Sequence, residues 1–180
     1  GTYSPVGWYA CVPCAAGKAD LDTNSSTPCQ SCAAGTYSAT AGAQGCADCA
    51  VGRFQGNAGK TSCVQCGMGT YASLGASNCT KCAAGKQDND ANAATPCVSC
   101  ASGRYSAVGS YTLSSTGTIG CVSCKAGYAD LDGPSTPCTV CGSGKYSAVG
   151  ATSCTPCAAG TNDHDRNAST PCVSLSLIHI

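Results

Sequence analysis

"CQSCAAGTYSATAGAQGCADC", residues 29 to 49, opens and closes on a C-x-x-C pair and sets a glycine three residues after the first pair. The same frame runs along the chain. The first cysteines of successive pairs are Cys11, Cys29, Cys46, Cys63, Cys79, Cys97, Cys121, Cys138, Cys154 and Cys172, at steps of 16 to 18 residues with one step of 24. Repetition at that period predicts a tandem array in which each unit contacts mainly its neighbours. The frame breaks once: after "TPCVS" (170 to 174) a cysteine is due at 175, where Leu175 stands.

Composition rules out a conventional core. Val, Leu, Ile and Phe together supply 20 of 180 residues, too little apolar bulk for a globular interior. Nineteen cysteines exceed the level of about 10% that marks a disulfide scaffold, and such scaffolds belong to oxidising compartments. The chain therefore reads as extracellular or displayed at the cell surface. Nine basic and nine acidic side chains cancel, which argues against nucleic acid or a polybasic membrane contact. No basic-then-apolar leader and no apolar run near the roughly 18 residues of a membrane span is present. A membrane would enter only through a region absent from this stretch, which reads as an internal fragment of a longer array.

Two kinds of unit alternate imperfectly. One reads G-x-Y-S-x-x-G, as in "GTYSATAGAQGC" (35 to 46) and "GKYSAVGATSC" (144 to 154); the other reads G-x-x-D-x-D and ends T-P-C, as in "GKADLDTNSSTPC" (17 to 29) and "GTNDHDRNASTPC" (160 to 172). Gly17, Gly35, Gly52, Gly69, Gly85, Gly103, Gly127, Gly144 and Gly160 suit a turn with positive φ. Residues such as Thr36 and Tyr37 then favour a short strand, and Pro28, Pro96, Pro137 and Pro171 keep the approach to the next cysteine extended. The expected fold is small and disulfide-rich: an elongated tandem-repeat rod of short strands and turns with little helix, over residues 1 to 174 in about nine units. Each Y-type tyrosine is expected to pack on a nearby disulfide.

The run from Cys29 to Cys49 resembles the ephrin-receptor-like cysteine-rich repeat, itself similar to the first half of a tumour necrosis factor receptor module. Tandem arrays rich in Ala, Gly, Ser and Thr also resemble surface antigens of ciliates and other unicellular eukaryotes. In the receptor-like module the cysteine before G-x-Y closes on the next cysteine along. The resemblance thus implies Cys14 with Cys29, Cys32 with Cys46, Cys49 with Cys63, Cys66 with Cys79, Cys82 with Cys97, Cys100 with Cys121, Cys124 with Cys138, Cys141 with Cys154 and Cys157 with Cys172. Cys11 is left over, with its partner expected before Gly1. An interlaced scheme, Cys11 with Cys29 and Cys14 with Cys32, is the alternative, and spacing alone does not choose. The last six residues, "LSLIHI" (175 to 180), resemble the translation of a transposase adapter used in sequencing libraries and are set apart from the repeats; a hydrophobic tail is the alternative.

The C-x-x-C pairs also fit four-cysteine zinc sites by spacing, but the chain is charge-poor and lacks the apolar or helical surroundings such sites use. Redox catalysis would need a βαβ setting, and none is visible. Eight of nine aspartates fall in the D-type loops: Asp20 and Asp22, Asp88 and Asp90, Asp130 and Asp132, Asp163 and Asp165. With Asn24, Asn92 and Asn167 they give D-x-D-x-N, whose alternating oxygens suit weak calcium. The alternative is that Asp and Asn form turns through their own backbone. Sequons place glycans at Asn24 and Asn167, with a third, poorer one at Asn78 because its middle residue is Cys79. No catalytic set assembles: His164 reads as a solvated loop residue, and Trp8 as packing on Cys11. The long step from Cys100 to Cys121 reads as a hairpin insertion or a protruding contact site.

These features predict a non-enzymatic extracellular structural, adhesive or surface-coat segment, with an extracellular protein or glycan as partner. The alternative is the ligand-binding ectodomain of a receptor. If bridges rather than zinc hold the chain, the unreduced protein will weigh two hydrogens less per bridge than the reduced one, with nine bridges and no stoichiometric metal. Free thiols throughout, or one zinc per four cysteines, would contradict this.

Overall fold

The computed structural model describes residues 1–7, 10–113, 117, 118 and 120–175. The readings of Trp8 and of the tail beyond Leu175 lie outside those residues. Among the described residues there is no helix, and the chain forms two-residue strands paired as antiparallel hairpins. In each repeat the pair of residues after the glycine forms one strand. The pair enclosed by the next C-x-x-C forms the other: Lys18–Ala19 against Gln30–Ser31, Thr36–Tyr37 against Ala47–Asp48, and Thr161–Asn162 against Val173–Ser174. The C-x-x-C is thus a strand whose flanking cysteines staple the hairpin. The turn is closed by Lys18 N–H on Ala15 C=O at 2.9 Å, and Cys32 N–H then donates to Gly17 C=O at 3.0 Å.

The bridges join Cys14 to Cys29, Cys32 to Cys46, Cys49 to Cys63, Cys66 to Cys79, Cys82 to Cys97, Cys100 to Cys121, Cys124 to Cys138, Cys141 to Cys154 and Cys157 to Cys172. Each closes one local loop, here called a module, of 13 to 15 residues, or 21 in the module with the insertion. Cys11 is free and exposed. Sulfur also makes the interior: the largest fully buried side chains are Cys14, Cys32, Cys49, Cys82 and Cys124, while Leu21, Val51, Val108 and Val149 stay exposed. The aromatic residue meets the bridge of the following module. Phe54, in the Tyr position of the module closed by Cys63, packs with Cys66, Cys79, Ala72 and Ala93.

Contacts divide the chain into two compact units, one of 1–81 with 92–96 and one of 82–91 with 97–180. Both use the same inter-module bonds. In the first, Gly17 N–H donates to Ser38 C=O at 2.8 Å and Gly42 N–H returns to Cys14 C=O at 2.7 Å; in the second, Gly127 donates to Ser147 at 3.0 Å and Gly150 to Cys124 at 2.8 Å. These bonds join adjacent modules, and contact extends beyond them to the module after next. A Cβ placed on Gly17 would overlap the carbonyl of Gly59, two modules on, and one on Gly103 would overlap that of Gly150. The repeated glycine therefore has two causes: a positive φ (84° at Gly17, 73° at Gly103) and a backbone two modules ahead that leaves no room for a side chain.

The long module carries its own hairpin, Thr112–Leu113 against Gly117–Thr118. Its base is stitched to the module before it. Asp88 N–H donates to Ser110 C=O at 3.0 Å, Thr112 N–H to Asp88 C=O at 2.8 Å, and Gln87 Oε1 accepts from Cys121 N–H at 2.6 Å. The extra residues lie beyond Gly109, whose N–H keeps its bond to Cys82 C=O at 2.7 Å, so the repeat contacts survive the insertion.

Two substitutions separate the two causes of glycine. Gly109 has φ of 77° and open space where a Cβ would go, so Gly109→Ala is expected to cost about 1 kcal/mol from backbone strain alone. Gly103→Ala adds the overlap with Gly150 and is expected to cost at least about twice that in denaturant unfolding of the oxidised protein. Equal costs would mean that the second-neighbour contact contributes nothing.

Candidate functional site

The recurring site is the joint between modules, centred on the residue three after the repeated glycine. Ser38 accepts from Gly17 of the module before and its N–H donates to Lys60 C=O of the module after at 3.2 Å; Ser147 likewise joins Gly127 to Ala168. Ser38, Gln55, Ser106 and Ser147 at this position are buried. Two of the serines add a side-chain bond across the joint, Ser106 Oγ to Lys86 C=O at 2.8 Å and Ser147 Oγ to Tyr128 C=O at 2.9 Å. Burial leaves each hydroxyl needing a partner: the neighbouring module supplies it for Ser106 and Ser147, and Thr40 C=O of its own module, at 3.1 Å, for Ser38.

In D-type modules the same position holds the first aspartate. Asp20, Asp88 and Asp130 donate through their N–H groups to Ala43, Ser110 and Ala151, as the serines do to their own partners. Asp130 also takes the N–H of Gly103 on its carboxylate, Oδ2 at 3.2 Å, while its Oδ1 is buried with no hydrogen-bond partner among the described residues. The second aspartate of each pair is exposed: Asp22, Asp90, Asp132 and Asp165 lie in the loop beyond the joint. Residues read as a pair in sequence thus divide into one joint residue and one loop residue.

The loop residue forms a turn. Asp22 Oδ1 accepts from Asn24 N–H at 3.0 Å and Oδ2 from Thr27 Oγ1 at 2.7 Å. Asp165 repeats this with Asn167 N–H at 3.0 Å and Thr170 Oγ1 at 3.0 Å, and Asp163 Oδ1 also accepts from Asn167 N–H at 3.1 Å. The residue after the second aspartate has positive φ in all four loops, at Thr23, Ala91, Gly133 and Arg166. The Thr27 hydroxyl, and after it the Asn24 amide, hold the Asp22 carboxyl below the usual carboxylate range. For Asp165 the Asn167 amide leads and, with the Thr170 hydroxyl, outweighs desolvation to hold the carboxyl below that range. Both bonds favour the charged form.

Among the described residues no group of three or more His, Cys, Asp or Glu is arranged to hold a metal ion. Asn24, Asn167 and His164 are exposed. Shallow clefts recur beside the aromatic position. Tyr105, Lys125, Tyr128 and Cys138 line one of about 310 Å³, Tyr37, Arg53 and Cys63 one of about 290 Å³, and Tyr3, Lys18 and Cys29 one of about 190 Å³. In each, the tyrosine shares the cleft with the closing cysteine of the next module. The joint position holds serine in one kind of unit and aspartate in the other, which hides its common role in the sequence. Aligned on the repeated glycine, the serine of G-x-Y-S and the first aspartate of G-x-x-D fall in one column.

Disulfide-stapled hairpins repeated in tandem, with no helix among the described residues, define the class of small cysteine-rich repeat proteins. Within it, residues 21–59 match the family described as tyrosine-protein kinase ephrin type A/B receptor-like, a stretch that contains the whole module from Cys32 to Cys46. No curated protein matches the chain.

A carboxylate with a lowered folded pKa stabilises its turn above its unfolded pKa, and that contribution is lost as pH falls through the folded value. The amides of Asn24 and Asn167 are therefore expected to titrate with midpoints below the ordinary aspartate value of 3.8. Thr27→Val should raise the Asn24 midpoint and leave that of Asn167 in place. An Asn24 midpoint indifferent to Thr27→Val would remove the hydroxyl as the cause.

Proposed function

We propose that this chain is a non-enzymatic, disulfide-braced spacer displayed outside the cell, within an adhesive or coat structure whose partners are extracellular proteins or glycans. The observation that carries the reading is that all nine bridges close local loops, while the joints between modules are made by backbone bonds and buried serine or aspartate. Local closure lets each module resist extension by itself. The matched family is a receptor-like cysteine-rich one and not an enzyme family, which supports the same direction. In this reading the exposed aspartates are turn formers before they are calcium ligands, because Asp22 and Asp165 already spend their oxygens on Asn24, Thr27, Asn167 and Thr170.

Single-molecule pulling tests the bracing. The oxidised chain is expected to lengthen only through the residues outside bridged loops, and addition of a reductant to release the remaining contour. Equal extension with and without reductant would overturn the proposal.

A further inference from the structure

The D-type loops contain a feature that the turn alone does not use. Asn24 Oδ1 accepts from Ser26 N–H at 3.0 Å, and Asn167 Oδ1 accepts from Ser169 N–H at 3.1 Å and from Ser169 Oγ at 2.6 Å. Each asparagine is the first residue of an N-x-S sequon, Asn24-Ser25-Ser26 and Asn167-Ala168-Ser169. In both, the turn consumes only the carbonyl oxygen: Nδ2 of neither asparagine donates a hydrogen bond among the described residues, and both residues are exposed. The residue that follows points its carbonyl inward, Ser25 to Ser4 N–H at 2.8 Å and Ala168 to Ser147 N–H at 3.0 Å. The backbone is therefore fixed in the joint while the amide nitrogen faces solvent.

We infer that Asn24 and Asn167 carry N-linked glycans, attached through Nδ2, and that the turn holding Oδ1 is kept intact by the attachment. This rests on the extracellular reading above. The donor is an oligosaccharide on a polyprenyl pyrophosphate. A bond forms between Nδ2 and the anomeric carbon, the bond from that carbon to the pyrophosphate oxygen breaks, the polyprenyl pyrophosphate leaves with the electron pair, and Nδ2 gives up one proton. No oxidant or reductant enters.

Two neighbours in the same chain serve as controls. Asn92 sits in the equivalent turn, with Oδ1 accepting from Ala94 N–H at 3.1 Å, yet Ala94 supplies no hydroxyl and the motif is incomplete. Asn78 has a complete motif in Asn78-Cys79-Thr80, but Cys79 is bridged to Cys66 and Thr80 is held in register against Tyr71, so the turn does not form there. The glycans at Asn24 and Asn167 would stand beside the joint and shield a surface that carries little charge.

The test is secretion of the chain from a eukaryotic host, with glycopeptide and bridge mapping on the same sample. Glycans are expected at Asn24 and Asn167 and not at Asn92. Ser26→Ala and Ser169→Ala should each remove one glycan with the bridge map unchanged, and Ala94→Ser should add one at Asn92. A secreted, fully bridged protein bare at Asn24 and Asn167 overturns this inference while leaving the extracellular reading standing. Failure of Ala94→Ser to gain a glycan overturns the role given to the turn.

Discussion

The structure depends on one covalent constraint, the bridge from the cysteine before each glycine to the next cysteine along the chain. A loop of about 15 residues closed this way gains roughly 3 kcal/mol by restricting the unfolded chain. Nothing else in the sequence supplies that sum locally, since two-residue hairpins are far too short to stand alone. The bridge also provides the interior. With one phenylalanine and few large aliphatics, the buried volume falls to cystine sulfur and alanine, and Phe54 covers the bridge of the module that follows it.

Stapled hairpins still need to be assembled, and here the backbone dominates. Three hydrogen bonds recur at the joints centred on Ser38, Gln55, Ala72, Ser106 and Ser147: from the repeated glycine forward to the joint residue, from the joint residue forward to the next loop, and from a loop glycine back to a buried cysteine. Because these bonds use peptide groups, the side chains between them are free to vary. That freedom explains how Ser38, Gln55 and Ala72 all serve one position, and how an insertion after Gly109 leaves the joint intact.

Much of this was legible in the cysteine spacing. The period, the short strands, the turn glycines and the lack of helix all follow from C-x-x-C-x-x-G, because a cysteine pair three residues apart beside a forced turn leaves the chain few alternatives. The bridge pattern was less legible. Spacing admits two schemes, and preference for the sequential one rested on a resemblance over residues 29 to 49. Least legible was the aspartate pair. Asp20 and Asp22 are alike in sequence and differ in setting only because a hairpin places one residue against a neighbouring module and the next but one in solvent. No local pattern reports that neighbour. Gly133 was the available hint that the residue after the second aspartate needs a left-handed backbone, and Thr23, Ala91 and Arg166 hid it.

The seating of Gly17, Gly35, Gly52, Gly85, Gly103 and Gly127 each on a module two places ahead changes how damage spreads. In a solenoid held only by adjacent contacts, one melted repeat severs the array into independent halves. Here Gly17 rests on Gly59 and Gly35 on Gly75, so the contacts that flank any one module are themselves linked. If the module between Cys32 and Cys46 opens, Gly17 still lies against Gly59, and the modules on either side keep their alignment. The defect is spanned, much as a missing brick is spanned by the courses bonded above and below it.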